Sequence, residues 1–442
     1  MGSALSIMEC ADITKERSKH DSIIVTVSAV KGITDLLLNI INLARKHKPR
    51  LVRLEMHKFS DIHKKILYKI ISHDEEAEKI WNNDFLPKIK RLEAISYGTS
   101  LVGDLTDKTV ARICAFGEKL STYLILYALQ KLKVHATRIE SEKIIRTDNN
   151  YIKAKVNLKA TFIACRKVLK PLLVKKIVPI VTGFIGKDTH GDITLLGRGG
   201  SDYTASIIAT AFNSKALEIW TDVNGVMSAD PRIVSDAKSW DSVNMNLMSE
   251  MAYSGAKVLH PDTIAVAVKQ NIPVYVFNTF NRKFHGTKIT LKAKKAIGIV
   301  GNPDNILITL EDTSIINQVG FIEKVAHVFK VHNIPMDVCA TSEISFTVSI
   351  KGNDGSKKFY KELKNIASVT LMKNITKLCI IGNNIAQNTQ LINNIFSLCN
   401  QHKIPVYTIS MSASGNNITL MIDDLNKTKA LQVLHDKLFE QR

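Results

Sequence analysis

TLLGRGGSDYTA, at residues 194–205, is the most informative stretch of this 442-residue chain. Its adjacent glycines, Gly199 and Gly200, remove side chains where the backbone could contact a ligand. Ser201 and Asp202 are residue types that cap a helix N-terminus or place negative charge in its first turn. The first amides of a helix have no partner within it, so the stretch predicts an anion-binding site. A Gly-rich turn with an ordinary N-cap is the alternative.

The surrounding residues favour the same interpretation. Arg198 offers a guanidinium that can bind a carboxylate or phosphate through two hydrogen bonds. Three other Gly-rich segments follow predicted strands: 28–34 (SAVKGIT), 183–186 (GFIG) and 221–226 (TDVNGV). In an open α/β sheet, ligands bind on the loops at the C-terminal ends of strands. One such loop is generic, but four in one chain favour a site shared by two ligands.

Strand-length apolar runs alternate with helical patterns through the first two thirds of the chain. This alternation predicts a largely parallel sheet with helices on both faces. The patterns predict strands at residues 22–29, 134–138, 177–182, 216–222 and 273–278, and helices at 33–46, 53–93, 109–132 and 203–212.

Several enzyme classes are excluded by missing motifs. The sequence has no G-x-x-x-x-G-K-[ST], H-R-D or D-F-G, which excludes P-loop and protein kinases. No H-E-x-x-H, G-x-S-x-G or Cys/His pairing supports hydrolysis. The scattered cysteines lack metal or redox spacing, and we expect reduced thiols in a cytoplasmic protein: Cys10, Cys114, Cys165, Cys339, Cys379 and Cys399.

The charge balance is strongly basic. The chain carries 60 Lys and Arg residues against 41 Asp and Glu, a net charge of +19. The lysines are dispersed and form no basic arm or aromatic-interleaved motif, so no nucleic-acid partner is predicted. No apolar run approaches the ~20 residues needed to cross a membrane, and no signal peptide is recognisable. A basic catalytic part suits anionic substrates, but a lysine-rich proteome would produce the same excess of positive charge.

An internal repeat follows residues 292–295. Two stretches of about 70 residues, from Ile297 and from Lys377, each predict strand, helix, strand, strand and helix. VGFIEKVAHVFKVHNIPMDVCA in the first matches NTQLINNIFSLCNQHKIPVYTIS in the second. A repeated βαββαβ module after a catalytic domain senses a small ligand or forms a dimer.

These motifs together resemble the aspartokinases of the amino-acid-kinase superfamily. The match rests on LGRGGSD, GFIG, TDVNGVMSADPRIV and GAKVLHP, with VSAVKGITDLL, FGEKLS and RTDNN in the same order. It implies an amino-acid-kinase fold, a mainly parallel sheet sandwiched by helices, at residues 1–293. The repeats resemble ACT domains at 297–372 and 373–442. The resemblance is to monofunctional, lysine-regulated members, which implies a homodimer or tetramer through the ACT domains.

The resemblance implies transfer of the ATP γ-phosphoryl group to the side-chain carboxylate of L-aspartate, with Mg²⁺ on the phosphates. Glu118 would bind the substrate ammonium and Arg198 its α-carboxylate. Asp202 would orient neighbouring groups, because an ionised carboxylate nucleophile needs no base. Read alone, Glu118 could equally be a solvated helix charge. Hydrogen bonds from side chains or backbone amides would come from Ser28, Thr34, Gly199, Gly200 and Ser201.

The nucleotide residues also follow from the resemblance. Thr221 and Asp222 would lie by the adenosine, Met227 would be a further contact, and Arg232 and Lys257 would lie near the phosphates. Lys257 would join Arg198 and Asp202 as a catalytic residue. A plain turn around Arg232 and a surface charge at Lys257 are the alternatives. No residue is identifiable as a dedicated metal ligand.

For the effector L-lysine, the resemblance implies a site in the first ACT module. Gly320 and Phe321 open a helix whose amides can receive a carboxylate. Asp337 and Glu343 could hold the two ammonium groups of lysine. A capped helix and a polar hairpin are the alternative. Ile315, Thr341 and Ser342 complete the predicted set.

The start of the chain departs from the family pattern. Aspartokinases begin with a strand and a Lys-Phe-Gly-Gly-Thr-Ser loop, whereas this chain opens at MGSAL, where the family has entered its first helix. We expect the sheet to lack one strand and the site one cation. We therefore expect the chain as given to be poorly active and prone to associate, and restoring the upstream strand to recover turnover.

Two other functions stay open on the sequence. One is a catalytically impaired, lysine-binding regulatory form of the kinase fold. The other is an amino-acid kinase acting on acetylglutamate or glutamate, which the tandem ACT modules disfavour. ATP turnover with aspartate, measured against lysine binding alone, separates the first from an active aspartokinase.

Overall fold

A computed structural model of the chain describes residues 1–256, 259, 261–291, 297–312, 320–412 and 414–439. The chain divides into two compact units. The first is Met1–Gly225 with Leu259–Thr290, and the second is Val226–Val258 with Leu291–Arg442. Within the described ranges, no helix is both long and apolar enough to cross a membrane.

The α-helices are numbered in chain order: α1 (Ala4–Ser18), α2 (Ile33–Arg45), α3 (Pro49–Ile71), α4 (Asp74–Ile80), α5 (Leu86–Val102), α6 (Asp107–Cys114), α7 (Phe116–Lys131), α8 (Leu158–Val174), α9 (Gly200–Phe212), α10 (Met245–Tyr253), α11 (Pro261–Lys269), α12 (Phe321–Val331), α13 (Lys357–Lys364), α14 (Thr389–Gln401) and α15 (Lys427–Phe439). A π-helical turn at Trp81–Phe85 joins α4 to α5, and 3₁₀ turns lie at Ser141–Lys143, Ile385–Gln387 and Asp424–Asn426.

The strands are numbered in the same way: β1 (Val25–Val27), β2 (Ala136–Ile139), β3 (Val178–Thr182), β4 (Ile185–Lys187), β5 (Ile193–Leu195), β6 (Leu217–Thr221), β7 (Ser242–Asn244), β8 (Val274–Asn278), β9 (Thr287–Thr290), β10 (Ile297–Glu311), β11 (Cys339–Thr341), β12 (Ser345–Lys351), β13 (Ser368–Gly382), β14 (Val406–Met411) and β15 (Asn417–Asp423).

The first unit is built on parallel strands, as the alternating pattern predicts. β3 pairs in parallel with both β1 and β2, and all five of its residues are buried. A strand buried on both faces reads as a continuous apolar run because helices cover it. β6 pairs in parallel with β8, and β8 pairs antiparallel with β9. The five strands predicted for this part are all present as β1, β2, β3, β6 and β8.

The predicted helix at residues 109–132 is wrong in one respect, because the structure has two helices there. α6 ends at Cys114 and α7 begins at Phe116. A single residue, Ala115, separates the two helices. Just beyond it the chain is closely packed: a Cβ on Gly117 would lie 3.0 Å from the Ala29 Cβ and 3.3 Å from Ile33. The start of α7 is therefore pressed against the loop after β1, which no helical periodicity records.

The second unit contains one antiparallel sheet in the order β11-β12-β10-β13-β15-β14. Residues 305–311 of β10 pair with β12 and with residues 368–375 of β13. Residues 297–302 of β10 pair instead with residues 377–382 of β13. The two long strands β10 and β13 therefore each run through both repeated modules.

Each module has its own core on this shared sheet. Ile308 packs with Phe321 and Phe329 in the first core, whereas Ile299 packs with Ile380 and Leu420 in the second. Residues 297–302 thus join the second module, although they precede the first one in the chain. The sequence predicts two consecutive modules, from Ile297 and from Lys377. In the structure the first residues of the first stretch pair with the second module instead.

Candidate active site

The stretch around α9 forms an uncapped helix start in the first unit. Gly199 is the N-cap with φ 70°, Gly197 has φ 80°, and no side chain caps the helix. The helix begins at Gly200, so the expectation that Ser201 or Asp202 caps it is wrong, whereas the expected negative charge in its first turn, Asp202, is confirmed. Two left-handed glycines make the turn instead. The Gly200 amide donates to the Gly197 carbonyl at 3.0 Å, which leaves the amides of Ser201 and Asp202 open to a ligand.

Two predicted loops meet at this helix start. A Cβ on Gly183 would lie 2.5 Å from the Ser201 Oγ and 2.8 Å from its Cα. A Cβ on Gly200 would lie 3.1 Å from the Cα of Phe184. The segments 183–186 and 197–202 are therefore in backbone contact, and glycine is required on both sides.

Glu118 is a buried carboxylate at the start of α7. Its side chain contacts the loop after β1, because the Ala29 amide donates to its Oε1 at 3.3 Å. The residue is 5% exposed. Burial raises the pKa of Glu118 to about 8, against a smaller lowering by backbone amides. An ionised carboxylate buried in this way is costly unless a cation pairs with it.

Ser121 is a residue of this site that the sequence did not single out. Its hydroxyl donates to the Ser28 carbonyl at 2.7 Å and so fixes the loop after β1 to α7. Its spacing of three residues from Glu118, on one helical face, was the available signal.

Arg198 and Asp202 differ in their exposure to solvent. Arg198 is exposed, and within the described chain no ion pair or hydrogen bond to its guanidinium is present. Burial raises the pKa of Asp202 to about 6. The start of α9 therefore carries an exposed guanidinium, Arg198, and a carboxyl group, Asp202, whose ionised form burial disfavours.

The remaining first-unit residues lie at the ends of β1 and β6. Ser28 and Thr34 are exposed, and Thr34 lies in the first turn of α2 after Gly32, whose φ is 82°. Thr221 is the last residue of β6. Asp222 follows it and lies 3.9 Å from the Nζ of Lys31. The structure thus brings the loop at 221–226 next to the loop at 28–34.

Two predicted nucleotide residues lie in the second unit. Met227 is half-buried and forms an isolated β-bridge with Ser239. Arg232 binds the Asp230 carboxylate through two nitrogens, Nε at 2.9 Å and a terminal nitrogen at 2.6 Å. Lys257 lies outside the described residues. In the part of the chain that is described, no group of three or more His, Cys, Asp or Glu side chains is placed to hold a metal ion.

The predicted effector residues also lie in the second unit. Gly320, with φ 89°, is the N-cap of α12, and Phe321 is its first residue. Ser342 turns the hairpin by donating its amide to the Ser345 carbonyl. Glu343 is exposed, whereas Asp337 is paired with the Nζ of Lys377 at 2.6 Å. Thr341 ends β11, and Ile315 lies outside the described residues.

A comparison with known families decides the assignment. The model of the amino acid kinase family matches residues 2–278, and an ACT domain model matches residues 378–438. The chain belongs to the amino acid kinase family. Lysine-sensitive aspartokinase 3 of Escherichia coli (strain K12) is 30% identical to it over 433 residues, 94% of this chain and 92% of that protein. This amino acid kinase is therefore an enzyme of the aspartokinase type, as the motifs predict.

Solved aspartokinase structures share the fold. E. coli aspartokinase III in complex with lysine and aspartate (T-state) has a TM-score of 0.80 and 26% identity, covering 97% of this chain and 96% of that one. The complex of the same protein with aspartate and ADP (R-state) has a TM-score of 0.80 and 26% identity, covering 99% and 97%. The predicted amino-acid-kinase fold followed by ACT modules is confirmed.

Proposed function

We propose that this aspartokinase transfers the γ-phosphoryl group of ATP to the side-chain carboxylate of L-aspartate and gives 4-phospho-L-aspartate, the first step toward lysine, threonine and methionine. The observation that carries the proposal is the uncapped start of α9 beside an available guanidinium, Arg198. The E. coli relative crystallised with aspartate and ADP supports both substrates.

The substrate residues have complementary roles. Glu118 binds the ammonium of aspartate, and Arg198 binds its α-carboxylate through a two-point contact. The side-chain carboxylate is itself the nucleophile and is already ionised, so no general base is required. Asp202 orients the neighbouring groups. Further hydrogen bonds come from Ser28, Thr34, Ser201 and the amides of Gly199 and Gly200.

The nucleotide residues hold ATP for in-line attack. Thr221 and Asp222 contact the adenosine, and Met227 lies beside it. Arg232 turns from Asp230 to the phosphates when ATP binds, and Lys257 adds a second cation. Mg²⁺ bound to phosphate oxygens and water would neutralise charge that builds up during transfer.

We also propose feedback inhibition by L-lysine bound in the first ACT module, in a dimer or tetramer formed through the ACT modules. Its support is the lysine sensitivity named for the E. coli relative and the lysine found in that protein's structure. Gly320 and Phe321 receive the effector carboxylate, while Asp337 and Glu343 receive its ammonium groups. Ile315, Thr341 and Ser342 lie around them. The sequence-based domain limits 1–293, 297–372 and 373–442 are part of this proposal, although residues 297–302 pair with the second module.

The decisive assay is ATP-dependent formation of aspartyl hydroxamate, with and without lysine. Turnover with L-aspartate that lysine suppresses supports both proposals. Glutamate and acetylglutamate are the control acceptors, and preference for either would contradict the substrate assignment. Lysine binding without turnover would instead identify a regulatory form of the fold.

A further inference from the structure

An ion pair inside the second unit occupies a predicted effector residue. The Lys377 Nζ lies 2.6 Å from Oδ2 of Asp337. Asp337 precedes β11 of the first module, whereas Lys377 lies in the part of β13 that pairs within the second module. The side chain of Lys377 is 8% exposed and that of Asp337 is 42% exposed.

The surroundings of Lys377 explain why it requires this partner. Lys377 lies opposite Met421 on β15 and two residues from Ile375 on β13, so the three side chains share one face of the sheet. Ile375 and Met421 belong to an apolar cluster that also contains Val338. A buried ammonium in apolar surroundings is costly unless it is paired, and Asp337 supplies the charge that it needs.

A second ammonium, that of Lys351, adds positive charge near the pair of Lys377 and Asp337. The Lys351 Nζ donates to the Asn302 side-chain oxygen at 2.6 Å and to the Pro303 carbonyl at 3.1 Å. Burial and then the nearby Lys377 ammonium lower the pKa of Lys351, against a smaller raising by the carboxylates of Asp337, Asp304 and Asp354. An incoming ammonium must therefore compete for the Asp337 carboxylate with a cation that is already bound.

We propose that Lys377 is an internal competitor for the effector site: its ammonium holds the Asp337 carboxylate and must be displaced before L-lysine binds there. The inference rests on the proposed lysine regulation and adds a residue that sets its sensitivity. A ligand that binds only a minor, competent state has an apparent affinity reduced by the population of that state. Lys377 thus raises the lysine concentration at which the kinase responds.

The test compares lysine inhibition in matched variants of the full chain. Lys377→Met removes the ammonium and keeps a side chain that suits the apolar face, and Asp337 stays half in water. We expect the half-inhibitory lysine concentration to fall about tenfold, expressed against the uninhibited rate of each variant. Lys373→Met removes an exposed ammonium from the same strand and should leave this concentration as in the wild type.

Two further variants separate competition from a purely structural ion pair. Lys377→Gln should shift sensitivity in the same direction, and it serves as the second measurement where Lys377→Met does not fold. Asp337→Asn should weaken inhibition in the presence and in the absence of Lys377. Loss of a structural ion pair lowers the melting temperature without increasing lysine sensitivity, so increased sensitivity is the distinguishing result.

Each outcome has a definite meaning. An inhibited wild type with unchanged or weakened inhibition in both Lys377 variants overturns the inference and leaves lysine regulation standing. If calorimetry detects no lysine binding to the wild type or to Lys377→Met while both phosphorylate aspartate, the proposed regulation is wrong, and the inference falls with it.

Discussion

At the scale of single residues, the site depends on groups whose properties are set by burial. Glu118 and Asp202 are carboxyl groups whose pKa values are raised to about 8 and about 6. Arg198, by contrast, is exposed. In the proposed site, an ammonium would bind Glu118 and a carboxylate would bind Arg198, which is the charge pattern of an amino acid.

Replacing Arg198 with alanine tests the carboxylate contact. Removing one partner of a desolvated charge pair costs about 2–5 kcal/mol. We therefore expect kcat/KM for aspartate to fall by at least about thirtyfold, while ATP binding measured by calorimetry persists. Arg50→Ala, which removes an exposed arginine of α3, is the matched control and should behave as the wild type. Near-normal kinetics for Arg198→Ala would exclude the assigned role.

Glu118 should make aspartate binding pH-dependent. Its pKa is about 8 in the ligand-free protein, yet it must be ionised to bind an ammonium. Binding then releases a proton, so aspartate affinity should fall by about tenfold for each pH unit below 8 and level off above it. Isothermal titration between pH 6 and pH 9 measures this slope.

The control for this titration removes the ionisable group. Glu118→Gln should bind aspartate weakly with no slope assignable to residue 118, whereas Glu75→Gln, an exposed residue of α4, should keep the slope. A wild-type affinity that is flat from pH 6 to pH 8 would contradict the assignment.

At the scale of elements, the start of α9 is held in place by backbone contact with the loop after β3. Gly183 lies so close to Ser201 that a Cβ would meet its Cα at 2.8 Å. Backbone cannot move aside as a flexible side chain can, so this contact fixes the position of the amides that we propose to bind an anion.

Gly183→Ala should therefore displace the start of α9. We expect a loss of about 1–3 kcal/mol in the free energy of unfolding and a raised KM for aspartate. Gly98→Ala is the control, because a Cβ at this helical position in α5 meets nothing within 4 Å. That variant should gain about 0.5–1 kcal/mol from helix propensity. Equal denaturant midpoints for the two variants would contradict the packing argument.

At the scale of the whole molecule, the chain passes from the first unit into the second at residue 226 and returns at Leu259. The segment between these two points, residues 226–258, carries Met227 and Arg232 and packs against the second ACT module. Ser228 Oγ lies 2.9 Å from Nε2 of His435 on α15 and accepts from the Lys238 amide at 2.8 Å. The segment that we propose to contact the nucleotide is thus held by a hydrogen bond to α15, the last helix of the second ACT module.

His435 is therefore expected to be a positioning residue for ATP. Burial lowers the pKa of His435, and its Nε2 lies within hydrogen-bonding distance of the Ser228 hydroxyl. His435→Ala should raise the KM for ATP severalfold and leave the KM for aspartate unchanged; His435→Gln should recover part of the loss. His327→Ala, an exposed residue of α12, is the control. A uniform loss of folded protein with unaltered KM values would reduce the role of His435 to stability.

The sequence by itself determined the family, the parallel architecture of the first unit, and the loops that carry the site. These features are local: the Gly-rich turns, the helix starts at Ile33 and Phe321 and the apolar strand runs each depend on a few neighbouring residues. Motif spacing along the chain then sufficed to indicate aspartokinase chemistry.

Only the tertiary structure decided what depends on residues far apart in the chain. The close approach of Gly117 to Ala29 and the high pKa of Glu118, which follows from its burial, both depend on how α7 packs against the rest of the first unit. Both modules share β10, and Lys377 pairs with Asp337. Each of these features joins segments that are far apart in the chain, so no local sequence pattern predicts it. Sequence patterns record which side chains are apolar or charged, but packing decides which partner each of them meets.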